Sequence, residues 1–255
     1  MQTFSSFDGT AIAYDSAGSG PPVVLVHGFA ASGQINWVAP GVVDAVVGAG
    51  RRAIWMDCRG HGSSDKPHDP TAYADGAMAS DVSALVDHLG IGSFDLVGYS
   101  MGSAISIRVA VLDKRVRSVI LGGAGAGGPR AVRARDANGR NPVLDGLTAD
   151  DPSSVGNETG RAFRAFAEST GADLQALAAV VRARQSDGDP AAIAVPALVL
   201  IGADDTLVGS APELASLIPG ARLVTVPGDH LTAVAQPEFR AAIVDFLNHV
   251  ATSAT

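Results

Sequence analysis

The stretch Phe94-Asp95-Leu96-Val97-Gly98-Tyr99-Ser100-Met101-Gly102-Ser103 decides how the rest of the chain is read. Phe94–Val97 is a short strand-like run, Gly98 and Gly102 bracket Ser100 in a G-x-S-x-G pattern, and a helical stretch follows from Ser103. A serine on so tight a strand-to-helix turn takes a strained backbone, and the flanking glycines avoid clashes with the neighbouring strand and helix. The turn lifts the hydroxyl above the sheet, and the helix N-terminus offers positive potential to a developing anion. In a chain of 255 residues with 30 glycines the pattern can arise by chance. Chance does not explain its place between a strand and a helix, so Ser100 is expected to be a nucleophile.

Outward from this turn, short apolar runs recur at Val23–Val26, Ala53–Met56, Ser118–Leu121, Ala197–Ile201 and Leu223–Val226. Their apolarity is continuous rather than alternating, which predicts parallel strands covered on both faces. A polar, hairpin-like start through Asp8-Gly9 precedes them. Residues 72–89 carry Met78, Val82, Leu85, Val86 and Leu89 at helical spacing and stop at Gly90. Pro237 opens a last helix with Ile243, Val244, Phe246, Leu247 and Val250 on its apolar face. Strands alternating with helices predict an α/β fold, a mostly parallel central sheet flanked by helices. The alternation breaks between about Gly122 and Pro190, where an Ala-rich helical stretch carries Phe163, Phe166, Leu174, Leu177, Val180 and Val181. Residues 123–190 are read as an inserted helical lid, entered after the strand ending near Leu121, with 1–122 and 191–255 as the core.

A serine hydroxyl needs a base to take its proton, and the base needs a carboxylate to orient it. Downstream of Ser100 there are two histidines. His249 lies near the end of the last helix and reads as a solvated helix residue. His230 follows a strand in Pro227-Gly228-Asp229-His230, at a strand's C-terminal end, where ligand sites of open α/β sheets form. The preceding strand ends in Gly202-Ala203-Asp204-Asp205, and either carboxylate is placed to reach the imidazole. The N–H of Met101, the residue after the serine, is one expected oxyanion donor.

With these residues in place the chain resembles the α/β-hydrolase superfamily over nearly its whole length, as a serine esterase-like member with a helical lid. The resemblance implies Asp205, on the fourth position of a G-x-x-D turn, as the acid, with Asp204 a turn residue. It implies the catalytic set Ser100, Asp205 and His230, and from the turn His27-Gly28-Phe29 a second oxyanion donor at the Phe29 N–H. His27 is read as structural. Trp37 and Met101 are placed near the cleft by the same resemblance, and Phe29, Trp37, Phe163 and Phe166 are the expected substrate contacts. Asp57-Cys58-Arg59-Gly60-His61-Gly62-Ser63-Ser64 matches the superfamily's D-x-R-G-x-G-x-S pattern, with Asp57 and Arg59 expected to bond turn backbone beside the nucleophile. Family members that open epoxides or remove halides carry an aspartate at position 100 and, for epoxides, lid tyrosines. Here Tyr14, Tyr73 and Tyr99 all lie outside the lid. Hydrolysis of a small or medium carboxylic ester through an acyl-enzyme is therefore expected. C–C hydrolase, lactonase, perhydrolase, acyltransferase and ligand-receptor readings stay open.

Composition bounds the rest. Hydrophobic residues make up 47% and charged residues 17%, which excludes a disordered chain. The formal net charge of −8 argues against nucleic-acid and anionic-membrane partners, and only Arg130, Arg133, Arg135 and Arg140 form a basic stretch. The lone Cys58 and the N-terminal MQTFSSFDGT, which carries no secretory pattern, lead to the expectation of a cytoplasmic protein. No metal is expected, because His61 and His68 belong to no ligand-spaced motif. No cofactor is expected either. Gly123–Gly128 satisfies G-x-G-x-x-G, but Pro129 follows where a dinucleotide site needs a helix. That run is read instead as a flexible hinge into the lid. The expected partner is a small-molecule ester.

Overall fold

A computed structural model describes residues 1–127, 135, 138–183 and 188–253. The strands are β1 (Gln2–Ser5), β2 (Ala11–Ala17), β3 (Pro22–Val26), β4 (Arg52–Met56), β5 (Phe94–Tyr99), β6 (Val116–Gly122), β7 (Ala197–Gly202) and β8 (Arg222–Val226). They form one sheet in the order β1-β2-β4-β3-β5-β6-β7-β8. The hairpin at Asp8-Gly9 pairs β1 and β2 antiparallel, and β2 runs antiparallel to β4. Every pairing among β3–β8 is parallel.

The continuous apolarity of the strands has a direct cause. Along β3, Val24 and Val26 enter one core while Val23 and Leu25 enter another across the sheet. The first core is covered by α2 (Ala77–His88) and α3 (Met101–Leu112). The second is covered by α1 (Val42–Gly48) and α8 (Pro237–Ser253), whose Phe239, Ile243, Phe246 and Leu247 are buried. A central strand with both faces covered has no solvent face to make polar.

The helix expected over 72–89 begins later, at Ala77. Asp69 caps a preceding turn, Pro70–Gly76, by accepting the Thr71 N–H, and Asp75 and Gly76 then take φ of +53° and +83°. The helical spacing begins only at Met78, and Tyr73, before the break, is buried in the same core.

Among the described residues no strand lies between β6 and β7. The interval holds α4 (Pro142–Thr148), α5 (Glu158–Ser169) and α6 (Leu174–Arg182), and α7 (Ala211–Leu217) follows β7. Asn141, Asn157 and Asp173 cap α4, α5 and α6 by accepting backbone N–H groups in their first turns. Val143, Leu147, Ala167 and Leu177 join the α2–α3 core. Thr170, at the end of α5, donates to the Ala30 carbonyl at 2.8 Å, tying these helices to the loop after β3.

Two expectations fail here. The run after β6 is not a free hinge where it is described. Ala124 and Ala126 are buried, Ala126 N–H donates to Ser210 O, and a Cβ on Gly125 would lie 1.9 Å from Gly209 O. Gly128, Pro129, Arg130 and Arg133 lie outside the described residues. Arg59 chiefly holds carboxylates rather than turn backbone. It donates to Asp81 at 2.7 Å and to Asp8 at 2.8 Å, with one bond to the Ala72 carbonyl. A fully buried guanidinium needs its charge matched, and backbone carbonyls alone do not supply that. Asp57 behaves as expected, accepting from the Gly33 and Ser63 N–H groups.

Candidate active site

Ser100 stands at the β5–α3 junction with φ 53° and ψ −112°, a conformation rare for a non-glycine residue. Its N–H donates to Gly122 O at 2.8 Å, which anchors the strained turn to β6. The flanking glycines are sterically required. A Cβ on Gly98 would lie 2.3 Å from Gly102 O, and one on Gly102 would lie 2.0 Å from Val26 O.

His230 lies in the loop after β8. Asp229 shapes that loop by accepting the N–H groups of Leu231 and Thr232, which makes it a turn former and not a partner of the imidazole. Tyr99 donates its hydroxyl to the His230 carbonyl at 2.7 Å and packs its ring 5.5 Å from the imidazole. His230 Nε2 lies 2.9 Å from Ser100 Oγ, and Nδ1 lies 2.7 Å from Asp205 Oδ2. A carboxylate only accepts, so Nδ1 carries the proton and Nε2 is left to accept from the serine hydroxyl. The Asp205 side chain is fully buried, and its other oxygen accepts the Leu207 N–H. Asp204 is exposed, and its N–H donates to Gly228 O. His249 is exposed on α8, far along the chain's last helix.

The turn after β3 lies against Ser100, since a Cβ on Gly28 would come within 3.3 Å of Ser100 Cβ. Three groups hold it. Asn36 Oδ1 accepts the Gly28 N–H at 2.7 Å, His27 Nδ1 donates to Gly28 O at 2.7 Å, and His27 Nε2 accepts the Cys58 N–H at 2.9 Å. The N–H groups of Phe29 and Met101 donate to no protein acceptor among the described residues. Asn36, Tyr99 and Thr170 were not singled out from sequence. Asn36 left one faint trace, an amide beside a tryptophan.

His27 and His61 are fully buried, and burial pushes their imidazoles down, to about 4 and about 3. A native pKa below the ordinary histidine value means that the unfolded chain binds the extra protons. Stability is therefore lost as pH falls below about 6.5, by roughly 2 kcal/mol per ring at pH 5. The urea midpoint is expected to drop clearly between pH 7.5 and pH 5. An unchanged midpoint would show that these rings accept protons in the native state.

Two cavities meet at Ser100. The first, of 340 Å³, is lined by Phe29, Ile35, Phe166, His230, Leu231 and Val234 among others. The second, of 250 Å³, is lined by Ala104, Ile107, Val208, Leu214 and Leu217 with residues of the 123–127 turn. Phe29 and Phe166 line the first cavity, which also reaches Ser100. Phe163 packs against the Phe29 ring, 6.1 Å between centroids, and lines neither cavity. Trp37 does not reach the cleft. The turn Gln34–Val38 aims Ile35 and Asn36 at the first cavity and buries Trp37 completely in the α1–α8 core. Its size and apolarity drive the indole to the drier side of the turn.

Among the described residues no three His, Cys, Asp or Glu side chains cluster so as to hold a metal. His61 packs edge-on against Phe29, and His68 bonds Asp173 at 3.0 Å. No described helix is long and apolar enough to cross a membrane.

Residues 21–138 match the family model for the alpha/beta hydrolase fold. A 2-hydroxy-6-oxononadienedioate/2-hydroxy-6-oxononatrienedioate hydrolase of Burkholderia vietnamiensis is 34% identical over 154 residues, 55% of this chain and 52% of that protein. A thermophilic esterase from Thermogutta terrifontis superposes with a TM-score of 0.76 at 27% identity, covering 98% of both chains. The enol-lactonase from Burkholderia xenovorans superposes at 0.72 and 27% identity, covering 97% of this chain and all of that one. The chain spans between a third and about half the length of the first curated relatives it matches. With the sheet order and the serine turn, these likenesses show the alpha/beta hydrolase fold, and the proteins similar to this chain include an esterase, a dienedioate/trienedioate hydrolase and an enol-lactonase.

Proposed function

We propose that the protein is a serine hydrolase that cleaves small or medium carboxylic esters through an acyl-enzyme on Ser100. The observation that carries this reading is His230, bridging Ser100 and the buried Asp205 at 2.9 and 2.7 Å. Ser100 Oγ attacks the ester carbonyl while its proton passes to His230 Nε2. Asp205 holds the tautomer and stabilises the imidazolium, and the Phe29 and Met101 N–H groups receive the oxyanion. The carbonyl–alkoxy bond breaks as Nε2 returns the proton to the leaving alcohol. Water, deprotonated by His230, then releases the acid and restores Ser100. Acyl transfer to water changes no oxidation state, so the reaction draws on no redox cofactor. The helices α4–α6 act as the lid, with Phe166 facing the reacting centre.

Intact-mass analysis after fluorophosphonate treatment tests the reading. One adduct is expected on the parent protein and none on Ser100→Ala. A folded parent protein that takes up no label overturns it.

Asn36 is a positioning residue for the oxyanion turn, through its bond to the Gly28 N–H. Asn36→Ala is expected to lower kcat by roughly tenfold with KM little changed, since loss of a whole oxyanion donor costs about 10²–10³. Asn36→Asp keeps an acceptor and should recover most of the loss. A fall in Asn36→Ala that appears in KM alone would assign Asn36 to substrate binding instead.

A further inference from the structure

Ser100 is the meeting point of two cavities that differ in what else they touch. The 340 Å³ cavity is lined by Gly28 and Phe29, which form the expected oxyanion turn, and by His230. The 250 Å³ cavity reaches Ser100 but neither Phe29 nor His230. Its described walls come from α3, α7, the 123–127 turn, Val208, Gly188 and Pro190. The tetrahedral carbon formed on Ser100 carries three further substituents. Its oxyanion must face the Phe29 and Met101 N–H groups, and its alkoxy oxygen must lie within reach of His230 Nε2 to be protonated as it leaves. The acyl carbon chain is the one substituent that needs neither donor nor base.

We infer that the acid arm of the substrate occupies the 250 Å³ cavity beside Ala104, Leu214 and Leu217, and that the alcohol arm occupies the 340 Å³ cavity beside Leu231, Val234 and Ala235. This rests on Ser100 acting as the nucleophile. Among the described residues the alcohol cavity is lined by no Lys, Arg, Asp or Glu, which favours an apolar, uncharged arm. A carboxylate there would find no cation among the described lining residues to pair with.

The arms separate kinetically, because every ester of one acid passes through the same acyl-enzyme. Two variants fill the cavities, Ala104→Leu for the acid arm and the exposed Ala235→Leu for the alcohol arm. Leu217→Ala, at a half-exposed position, widens the acid cavity without crowding the core. The parent and variants are assayed on p-nitrophenyl acetate, butyrate and octanoate, and on methyl, butyl and benzyl butyrate. Ala104→Leu is expected to lower octanoate relative to acetate at least tenfold and to change the butyryl-enzyme deacylation rate. Leu217→Ala should shift the preference toward longer acids. Ala235→Leu is expected to lower benzyl relative to methyl butyrate while leaving deacylation unchanged. On the parent, the butyrate ester of 4-hydroxybutyrate should be at least tenfold poorer than pentyl butyrate.

The opposite pairing, with Ala235→Leu altering deacylation and acid-length preference, overturns the assignment while leaving the serine reading standing. Equal turnover of the 4-hydroxybutyrate and pentyl esters overturns the uncharged alcohol arm. Absence of any fluorophosphonate adduct on the parent overturns the serine reading and this assignment together. Thermal melts of each variant show whether the fold is retained. If Ala104→Leu does not fold, Leu217→Ala decides the acid arm alone.

Discussion

Ser100→Ala is expected to lower kcat by about five to six orders of magnitude while the melting temperature stays within a few degrees of the parent. The activity loss follows from the proposed chemistry, since without Oγ no acyl-enzyme forms and His230 Nε2 has nothing to activate. The fold survives because the hydroxyl faces the two cavities and, among the described residues, has His230 as its one side-chain partner. The main-chain bond from Ser100 to Gly122, which anchors the turn, does not depend on the side chain. Steady-state turnover of p-nitrophenyl butyrate and a thermal melt settle both halves. A folded variant that keeps more than a tenth of the parent rate would remove Ser100 from the mechanism.

The second large effect separates two neighbours in sequence. Asp205→Asn is expected to cost about 10⁴-fold in kcat, and Asp204→Asn less than about threefold. Asp205 is fully buried at 2.7 Å from Nδ1, whereas Asp204 is exposed and contributes its backbone N–H to Gly228. An asparagine at 205 can turn its NH₂ toward Nδ1, which would then accept and place the proton on Nε2. An imidazole in that tautomer meets the serine hydroxyl with a donor and takes no proton from it. The ratio of the two variants' kcat values, at a pH where the parent is fully active, is the test. A larger loss in Asp204→Asn would mean that the loop is arranged differently in solution.

Most of the sheet was legible because its strands declare themselves locally. Val23–Val26, Ala53–Met56, Ala197–Ile201 and Leu223–Val226 all fall inside observed strands. Ser100 was legible for a related reason, since the need for glycine at 98 and 102 is written into adjacent positions and the collisions their Cβ atoms would make explain it. Other residues left a signal of kind but not of direction. Arg59 was visible as the arginine of a patterned turn, expected to bond backbone, yet its carboxylate partners lie 22 and 51 residues away. Trp37 was visible as a large apolar side chain, and a turn of five residues sent it to the other core. Gly123–Gly127 looked free because glycine lacks a side chain, when the same lack lets the backbone pack against Gly209.

The chain alone determined the order of strands and helices, the serine turn and the histidine loop. Each depends on residue spacing within one element, which periodicity and local sterics record. Tertiary structure decided the geometry that joins them. His230 and Ser100 are 130 residues apart, and Asp205 and His230 are 25 apart. Asn36 reaches Gly28 only because the turn at Gln34–Val38 folds back toward the loop after β3. The two cavities exist only where α3, α5, α7 and the loop after β8 converge on Ser100. A local pattern specifies what a residue is able to do. Its distance to a partner depends on how the whole sheet twists and how its helices pack, which no short window of sequence contains.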